Sequence, residues 1–305
     1  MAEMTSLPMA LQTSDEEVVV LEQLPLQSMV VAPSNRSGRR RRVRRLAPNL
    51  LSPFIAQPQT RQSAIKMDLK AVAAIVFDGA LDPSEELLHD TTLSRGNLAS
   101  FQGDSWIGNH VVDAYCRLLQ FDDASRTKLY LSPYIAEMVM RSNGKHLTRE
   151  GVIGRYERYL YPIDVSYQNV NEVYLPVLHK NHWSLYVYDI HNKRIQLLDS
   201  RPGRRRSSMS GIQQNLAKVV LWLVAYKKQM VDVDLKMFRF VMPDVPSQPN
   251  DNDCGVFVMK FMENWSNGGL SKSIDVGKIN KYRLKILGRL LLSSHNAHRH
   301  RFLVE

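Results

Sequence analysis

The sequence predicts one α+β domain at residues 81–305, preceded by a disordered arm at residues 1–80. After residue 81, segments with strand-like and helix-like apolar spacing alternate without an internal repeat. Hydrophobic residues make up 44% of the 305 residues, which is enough for a substantial buried core. The arm is different because it is polar, rich in arginine and interrupted by prolines, and it sustains no period.

Two features of the arm predict partners. The run from Arg36 to Arg45 holds seven arginines and fits either a nuclear localisation signal read by an importin or a nucleic-acid patch. A solvated charge run is the alternative. The residues Val18–Leu21 form a β-branched run with acidic residues on both sides, which suits strand addition to the edge of a partner's sheet. This run resembles a SUMO-interaction motif, and a disordered apolar patch is the alternative.

The chain has only two cysteines, Cys116 and Cys254, which excludes a disulfide framework. No N-terminal stretch combines a basic start, an apolar region and a small-residue cleavage site, so we expect a reducing compartment, the nucleus or also the cytoplasm. The apolar run at residues 219–226 is far shorter than the ~20 residues that span a bilayer. We therefore expect a soluble protein without a membrane partner.

The elements of the domain follow from their apolar spacing. Residues 104–119 place apolar side chains at helical intervals with Cys116 beside the stripe, so we expect a structural role for that thiol. Shorter apolar runs predict strands and longer ones predict buried helices. The strands are 173–178, 183–189, 194–199 and 235–242, and the helices are 211–230 and 254–265.

The hairpin formed by the second and third of these strands predicts a catalytic pair. If its turn consists of His191 and Asn192, Asp199 lies opposite Ser184, and His182 is its diagonal neighbour on the same face. Such neighbours lie about 7–8 Å apart between their backbones, a gap that a carboxylate and an imidazole bridge. A register slip of one residue would place the two side chains on opposite faces.

Cys254 lies where an acidic, amide-rich loop meets the last predicted helix. Asp253 is the expected N-cap, which puts Cys254 in the first turn, where the helix dipole and a neighbouring imidazolium favour the thiolate. Gly255 is expected to leave room for a substrate carbonyl beside the backbone. Gln248 is placed to donate its amide N–H to an oxyanion, beside the N–H of Cys254.

Four stretches resemble the SUMO-specific and related ubiquitin-like-protein cysteine proteases, in that family's order. They are Trp106–Asn109, Asn181–Leu185, Leu198–Ser200 and Gln248–Gly255. The resemblance implies a papain-like cysteine protease fold, with a central mixed or antiparallel sheet flanked by helices. The sequence is most similar to plant members of the family.

The resemblance also implies catalytic roles for four residues. Cys254 attacks the carbonyl after the C-terminal Gly-Gly of SUMO or a related modifier, either in a conjugate or in a precursor. His182 transfers the proton, Asp199 orients His182, and Gln248 stabilises the oxyanion. No cofactor is expected.

Substrate-binding roles come from the same resemblance. Trp106 and Trp183 match the two tryptophans that enclose the diglycine in a tunnel too narrow for side chains. Asn109 stands where the family usually has aspartate, which removes one charged contact and leaves the identity of the modifier open.

Other interpretations remain open at this stage. His179 and His182, three apart on one predicted strand, are expected to face opposite ways, which argues against a metal site. The rival function is a catalytically weak or inactive protein that keeps the protease fold and binds modifiers or nucleic acid. A third is acyl transfer to an acceptor other than water.

Overall fold

A computed structural model of the protein describes residues 68–77, 86–88, 93–142, 147–156, 167–201, 203 and 206–303. The chain divides into two compact units, Met1–Asp68 and Leu69–Glu305. The predicted motif at Val18–Leu21 and the arginine run Arg36–Arg45 lie outside the described residues.

The second unit contains the predicted helices and strands of the β4–β6 and α6–α7 regions together with elements that the sequence pattern did not indicate. Within the described ranges the α-helices are α1 (Leu69–Phe77), α2 (Arg95–Leu98), α3 (Asn109–Asp122), α4 (Pro133–Arg141), α5 (Arg149–Tyr156), α6 (Gly211–Lys227), α7 (Cys254–Asn264) and α8 (Ile279–Leu292). The strands are β1 (Glu86–Leu88), β2 (Leu93–Ser94), β3 (Lys128–Tyr130), β4 (Glu172–His179), β5 (His182–Asp189), β6 (Arg194–Leu198), β7 (Arg239–Val241), β8 (Trp265–Ser266) and β9 (Gly269–Leu270).

A mixed five-stranded sheet with the order β3-β4-β5-β6-β7 forms the centre of this unit. The strands β4, β5 and β6 are antiparallel, and β3 and β7 join the two edges in parallel. Alternate side chains of β4 to β6 pack with α4, α5 and α6 on one face, while α7 packs against β5. Helices thus flank a mixed sheet, which confirms the predicted fold class.

The unit begins at Leu69, twelve residues N-terminal of the domain start predicted at residue 81. The helix α1 packs against α8, and Val72 and Val76 are completely buried. This helix therefore lies inside the segment that the sequence pattern assigns to the arm. The domain start at residue 81 stays a prediction, which a truncation can test.

The β5–β6 register is confirmed. Asp189 pairs with Arg194 and Leu185 with Leu198, so the next residue, Asp199, lies opposite Ser184. The turn contains the four unpaired residues 190–193 instead of two, and the side chain of Asp189 holds it by accepting from the backbone N–H of Asn192 at 2.9 Å. The register survives because the turn is longer by one residue on each side.

The expected arrangement of His179 and His182 is wrong. They do not lie on one strand, because Lys180 and Asn181 form a tight turn with φ of 50° and 58°. His179 and His182 are instead direct cross-strand partners in the β4–β5 hairpin. Among the described residues, no group of three or more potential metal-ligating side chains forms at this place or elsewhere.

The strand predicted at residues 235–242 is only partly present. Residues Leu235–Met237 form a 3-10 turn because the side chain of Asp234 accepts from the backbone N–H of Lys236 at 2.9 Å. Strand β7 is limited to Arg239–Val241. In the part of the chain that the structure describes, no helix is long and apolar enough to cross a membrane.

Candidate active site

His182 and Asp199 lie side by side at the open end of the β5–β6 hairpin. Because a carboxylate only accepts, Nε2–H of His182 donates to Asp199 Oδ1, at 2.5 Å. The backbone N–H of Arg201 donates to the same oxygen at 2.9 Å. The carboxylate is therefore held by the chain itself and fixes the orientation of the imidazole.

Cys254 is the first residue of α7 and is completely buried. Helix α7 packs against β5, the strand that His182 opens, so the thiol and the imidazole meet between these two elements. The second ring nitrogen of His182, Nδ1, has no hydrogen-bond partner of good geometry among the described residues. It is the nitrogen available to Cys254, whose side chain interacts with the ring.

The environment of His182 favours the imidazolium form. Burial of the ring by itself lowers its pKa. The hydrogen bond to Asp199, the neighbouring Cys254 side chain and the charge of Asp199 outweigh burial and raise the pKa from 6.5 to about 9. At neutral pH the site therefore holds a protonated imidazole between the side chains of Asp199 and Cys254, which is the form that can donate a proton.

Gln248 is held by the same turn that carries Asp199. Its side-chain oxygen accepts from Ser200 Oγ at 2.7 Å, and its backbone N–H donates to the Ser200 carbonyl at 2.8 Å. One amide proton is donated to the Asn250 carbonyl at 2.6 Å, which leaves the other for a ligand. These two hydrogen bonds fix the orientation of the Gln248 amide, with its oxygen toward Ser200 and its nitrogen toward Asn250.

Asp253 occupies the N-cap position of α7, but the predicted capping bond is wrong. Its side chain makes no hydrogen bond to the helix. The carboxylate instead pairs with Arg283 of α8 at 2.8 Å, and both side chains are almost completely buried. The Arg283 guanidinium is a stronger hydrogen-bond donor to this carboxylate than a backbone N–H, because it is charged. The Asp253 side chain therefore binds Arg283 instead of capping α7.

Gly255 has a packing role in the structure, while the space that it is expected to leave for a substrate carbonyl stays a prediction. A Cβ at this position would lie 2.6 Å from the Cβ of Ile107, so the place of a side chain is already taken. The Ile107 carbonyl also accepts from the indole N–H of Trp183 at 2.8 Å. These contacts join the loop that precedes α3 to the first turn of α7 and to β5.

The two tryptophans are brought together, with ring centroids 6.3 Å apart and planes inclined by 21°. Trp183 has no exposed surface and supports Trp106 from the protein side. Trp106 is partly exposed and lines a cleft of about 460 Å³. The cleft is also lined by Lys180, Asn181, Arg201, Asp251 and Asn252.

Asn109 is the first residue of α3, next to the Trp106 loop. Its side-chain nitrogen donates to Glu137 Oε2 of α4 at 3.1 Å. Glu137 also pairs with Arg141 at 2.5 Å. A carboxylate therefore stands beside Asn109, although the sequence position itself is neutral.

Three residues at the site have roles that the sequence pattern did not indicate. Ser200 ends the stretch Leu198–Ser200, and its hydroxyl donates to Gln248. Ile107 fills the space beside Gly255, and Arg283 binds the residues before Cys254. Cys116, by contrast, is buried against Met262 at 3.7 Å between sulfur atoms, in agreement with the expected structural role.

The mixed sheet flanked by helices and the arrangement of Cys254, His182 and Asp199 agree with what the sequence resemblance implies. The family described as the Ulp1 protease family, C-terminal catalytic domain, matches residues 105–288. This chain belongs to that family.

Curated relatives include a plant protein, as the sequence resemblance indicates. Ubiquitin-like-specific protease 1A of Arabidopsis thaliana is 25% identical over 171 residues, which are 53% of this chain and 32% of the relative. Human sentrin-specific protease 2 is 24% identical over 190 residues, 59% of this chain and 30% of the relative. The chain thus spans about a third of the length of these curated relatives.

Solved structures share the fold at low sequence identity. The C-terminal Ulp1 protease domain, in complex with Smt3, the yeast ortholog of SUMO, has a TM-score of 0.57 at 15% identity. That match covers 75% of this chain and 95% of the other. The Chaetomium thermophilum Ulp1-like SUMO protease domain has a TM-score of 0.53 at 15% identity, over 72% and 85% of the two chains.

Proposed function

We propose that this chain is a thiol-dependent isopeptidase and endopeptidase that cleaves after the C-terminal Gly-Gly of SUMO or a related ubiquitin-like modifier. The observation that carries the proposal is the position of His182 between Asp199 and Cys254, within a domain of the Ulp1 protease family. The relatives are named as proteases specific for ubiquitin-like proteins, which supports the choice of substrate class.

The reaction begins with attack of the Cys254 thiolate on the glycine carbonyl. A carbon–sulfur bond forms, and the carbonyl electron pair moves to oxygen. The backbone N–H of Cys254 and the free amide N–H of Gln248 stabilise that oxyanion. When the carbon–nitrogen bond breaks, the imidazolium Nδ1–H of His182 protonates the departing amine and leaves a thioester.

The thioester is then hydrolysed by the same groups. Neutral His182 takes a proton from water, the hydroxide equivalent attacks the thioester carbonyl, and Cys254 leaves as thiolate. Asp199 keeps Nε2–H engaged throughout, so Nδ1 is the nitrogen that exchanges protons in both halves of the reaction.

Substrate binding is assigned to the cleft beside Trp106. Trp106 stacks on the buried Trp183, whose indole N–H is held by the Ile107 carbonyl, and a wall of packed aromatic rings suits a peptide segment without side chains. Asn109 and the adjacent Glu137 form part of the surface through which the modifier is recognised. We also propose a nuclear location, with Arg36–Arg45 for import or nucleic-acid contact and Val18–Leu21 for a second contact with SUMO.

Turnover of C-terminal fluorogenic conjugates of several SUMO proteins, ubiquitin and other modifiers tests the function. We expect the wild type to release the fluorophore from at least one SUMO conjugate, and Cys254→Ala to lose all turnover. Cys116→Ala is the matched control because its thiol is buried against Met262, away from the cleft. Absence of thiol-dependent turnover of every conjugate, or equal loss in both variants, contradicts the proposal.

The same panel separates the proposal from its rivals. If the chain only binds modifiers or nucleic acid, the Cys254→Ala variant would keep the wild-type affinity for that ligand. The wild type would then not be labelled by a modifier that carries a C-terminal electrophile. An acyl transferase would consume the conjugate only when an acceptor amine is added, and mass spectrometry would show the modified acceptor.

Replacement of Arg36–Arg45 by glutamines in a fluorescently tagged chain tests the location. Loss of nuclear accumulation supports import through this run. Unchanged accumulation contradicts it and leaves nucleic-acid contact to be measured by salt-dependent DNA binding.

A further inference from the structure

Arg283 of α8 is the most deeply buried cation among the described residues, with 1% of its surface exposed. Its guanidinium donates to the carbonyls of Ser100 and Ser105, at 3.0 and 2.7 Å. These oxygens belong to the loop that leads to Trp106. One terminal nitrogen of the guanidinium, Nη1, thus holds the backbone of the segment that precedes Trp106.

The other terminal nitrogen of Arg283 binds the segment before the nucleophile. It donates to Asp253 Oδ1 at 2.8 Å and to the Asn252 carbonyl at 3.5 Å. Asp253 is the residue directly before Cys254, so the ion pair ends one residue from the thiol. A single rigid, planar group therefore bridges the backbone before Trp106 and the backbone before Cys254.

Stability alone does not explain this arrangement. A buried ion pair loses so much hydration that apolar residues of the same size often stabilise a fold equally well or better. The ion pair between Arg283 and Asp253 instead fixes the relative positions of two backbone segments. The Ile107 contact with Gly255 joins the same two segments at a second point, so the segments are fixed in both separation and orientation.

We propose that Arg283 is a positioning residue that holds the cleft wall at Trp106 and the nucleophile Cys254 in one fixed arrangement. This inference rests on the proposed function, since it assigns the purpose of the arrangement to acyl transfer. Arg283 contacts neither His182 nor Asp199 and acts only through the two backbone segments.

The variant Arg283→Lys tests the proposal because lysine keeps the charge but has no planar fork with which to bind both segments. We expect kcat for the best fluorogenic conjugate to fall at least about 10-fold, because small displacements of reacting groups have large effects on rate. Hydrogen exchange, measured by mass spectrometry, should become faster in residues 99–106 and 250–256 together.

Arg289→Lys is the matched control on the same helix. Arg289 pairs with Asp122 at 2.8 Å and with Glu263 at 3.0 Å, and its replacement also disrupts a charged network of α8. We expect its kcat to stay within about 2-fold of the wild type and exchange at the two segments to be unchanged, because neither partner adjoins the nucleophile.

A kcat for Arg283→Lys equal to that of Arg289→Lys, or faster exchange spread evenly over the domain, overturns the proposal. If Arg283→Lys does not fold, Asp253→Asn is the second test of the proposal. It removes the negative charge that pairs with Arg283 but keeps the shape of the side chain. A loss of kcat of at least about 3-fold, with faster exchange at both segments, is expected there, and wild-type values overturn the proposal. A wild type without turnover refutes the proposed function, while the exchange measurement still decides whether Arg283 joins the segments.

Discussion

At the scale of the residue, the residues proposed for catalysis stand out in the sequence because each occurs beside a distinctive neighbour. His182 precedes a tryptophan, Asp199 follows an apolar strand, and Cys254 begins a helix after an acidic loop. The roles of Ser200 and Arg283 were not predictable. Their partners lie 48 and 30 residues away in the chain, and a contact of that kind leaves no periodic or local signal.

The raised pKa of His182 predicts a pH profile for turnover. Because the pKa is about 9, the imidazolium that protonates the departing amine is lost only above that pH. We expect kcat/KM for a fluorogenic conjugate to stay high through neutral pH and to fall as the pH rises through about 9. A fall centred near pH 6.5, the ordinary value, would show that the imidazolium has no stabilising partners.

Asp199→Asn gives the control for that profile. The hydrogen bond to Asp199 is the largest of the contributions that raise the pKa of His182, so its loss should move the alkaline limb to lower pH. Turnover should be reduced but measurable, since the nucleophile and the base remain. If the alkaline limb of the pH profile stays at the same pH and the variant is fully active, a group other than Asp199 orients His182.

The same shift has a consequence for stability. The pKa of His182 is higher in the folded protein than its ordinary value, so the stabilisation from its protonated form is fully present below about pH 6.5. It is lost as the pH rises through about 9. Urea unfolding at pH 6 and pH 10 should show a larger decrease for the wild type than for His182→Ala, and equal decreases would contradict this assignment.

Ser200→Ala tests how Gln248 is oriented. Losing one hydrogen bond of about 0.5–1.5 kcal/mol to the Gln248 oxygen should lower kcat by about 2- to 13-fold. Gln248→Ala removes the oxyanion donor itself and should lower kcat by about 10²–10³-fold. Because Ser200 acts through Gln248, the double variant should be no slower than Gln248→Ala. Additive losses would give Ser200 a separate role.

At the scale of the element, the sheet was predicted more accurately than its edges. The β5–β6 register was predicted from a two-residue turn, and it is correct because the four-residue turn adds one residue to each side. The strand expected at residues 235–242 shortened because Asp234 caps a turn, and a local side-chain bond overrides β propensity there. The helix expected to reach residue 230 ends at Lys227, and Gln229 adopts φ of 52°.

Gly255→Ala tests the packing of α7 against the loop before α3. The added methyl group would lie 2.6 Å from the Ile107 Cβ, an atom that cannot rotate away. We expect a loss of about 1–3 kcal/mol in the free energy of unfolding and a lower kcat. Gly154→Ala, on the exposed face of α5 with no atom within 4 Å, should stabilise by about 0.5–1 kcal/mol instead. Equal effects of the two changes in thermal unfolding would contradict the packing argument.

At the scale of the whole molecule, composition predicts an arm that ends at residue 80, whereas the second compact unit begins at Leu69 with α1. That helix follows an arginine-rich stretch, and nine residues are too few for the periodic pattern to stand out. Its attachment depends on a tertiary contact instead. A Cβ at Gly288 of α8 would lie 2.4 Å from Leu69 Cδ2, so the two helices approach closely where α8 has no side chain.

Truncation therefore distinguishes the two boundaries. We expect residues 69–305 to unfold in urea like the full chain, and residues 81–305 to be less stable, since Val72 and Val76 no longer cover α8. Two fully buried valines correspond to at most about 3–6 kcal/mol. Gly288→Ala supplies an internal control, because an added methyl group favours a helix by about 1 kcal/mol but must displace Leu69 when α1 is present. The substitution should therefore stabilise residues 81–305 more than residues 69–305. Equal effects in both, together with equal stabilities, would place α1 outside the cooperative domain.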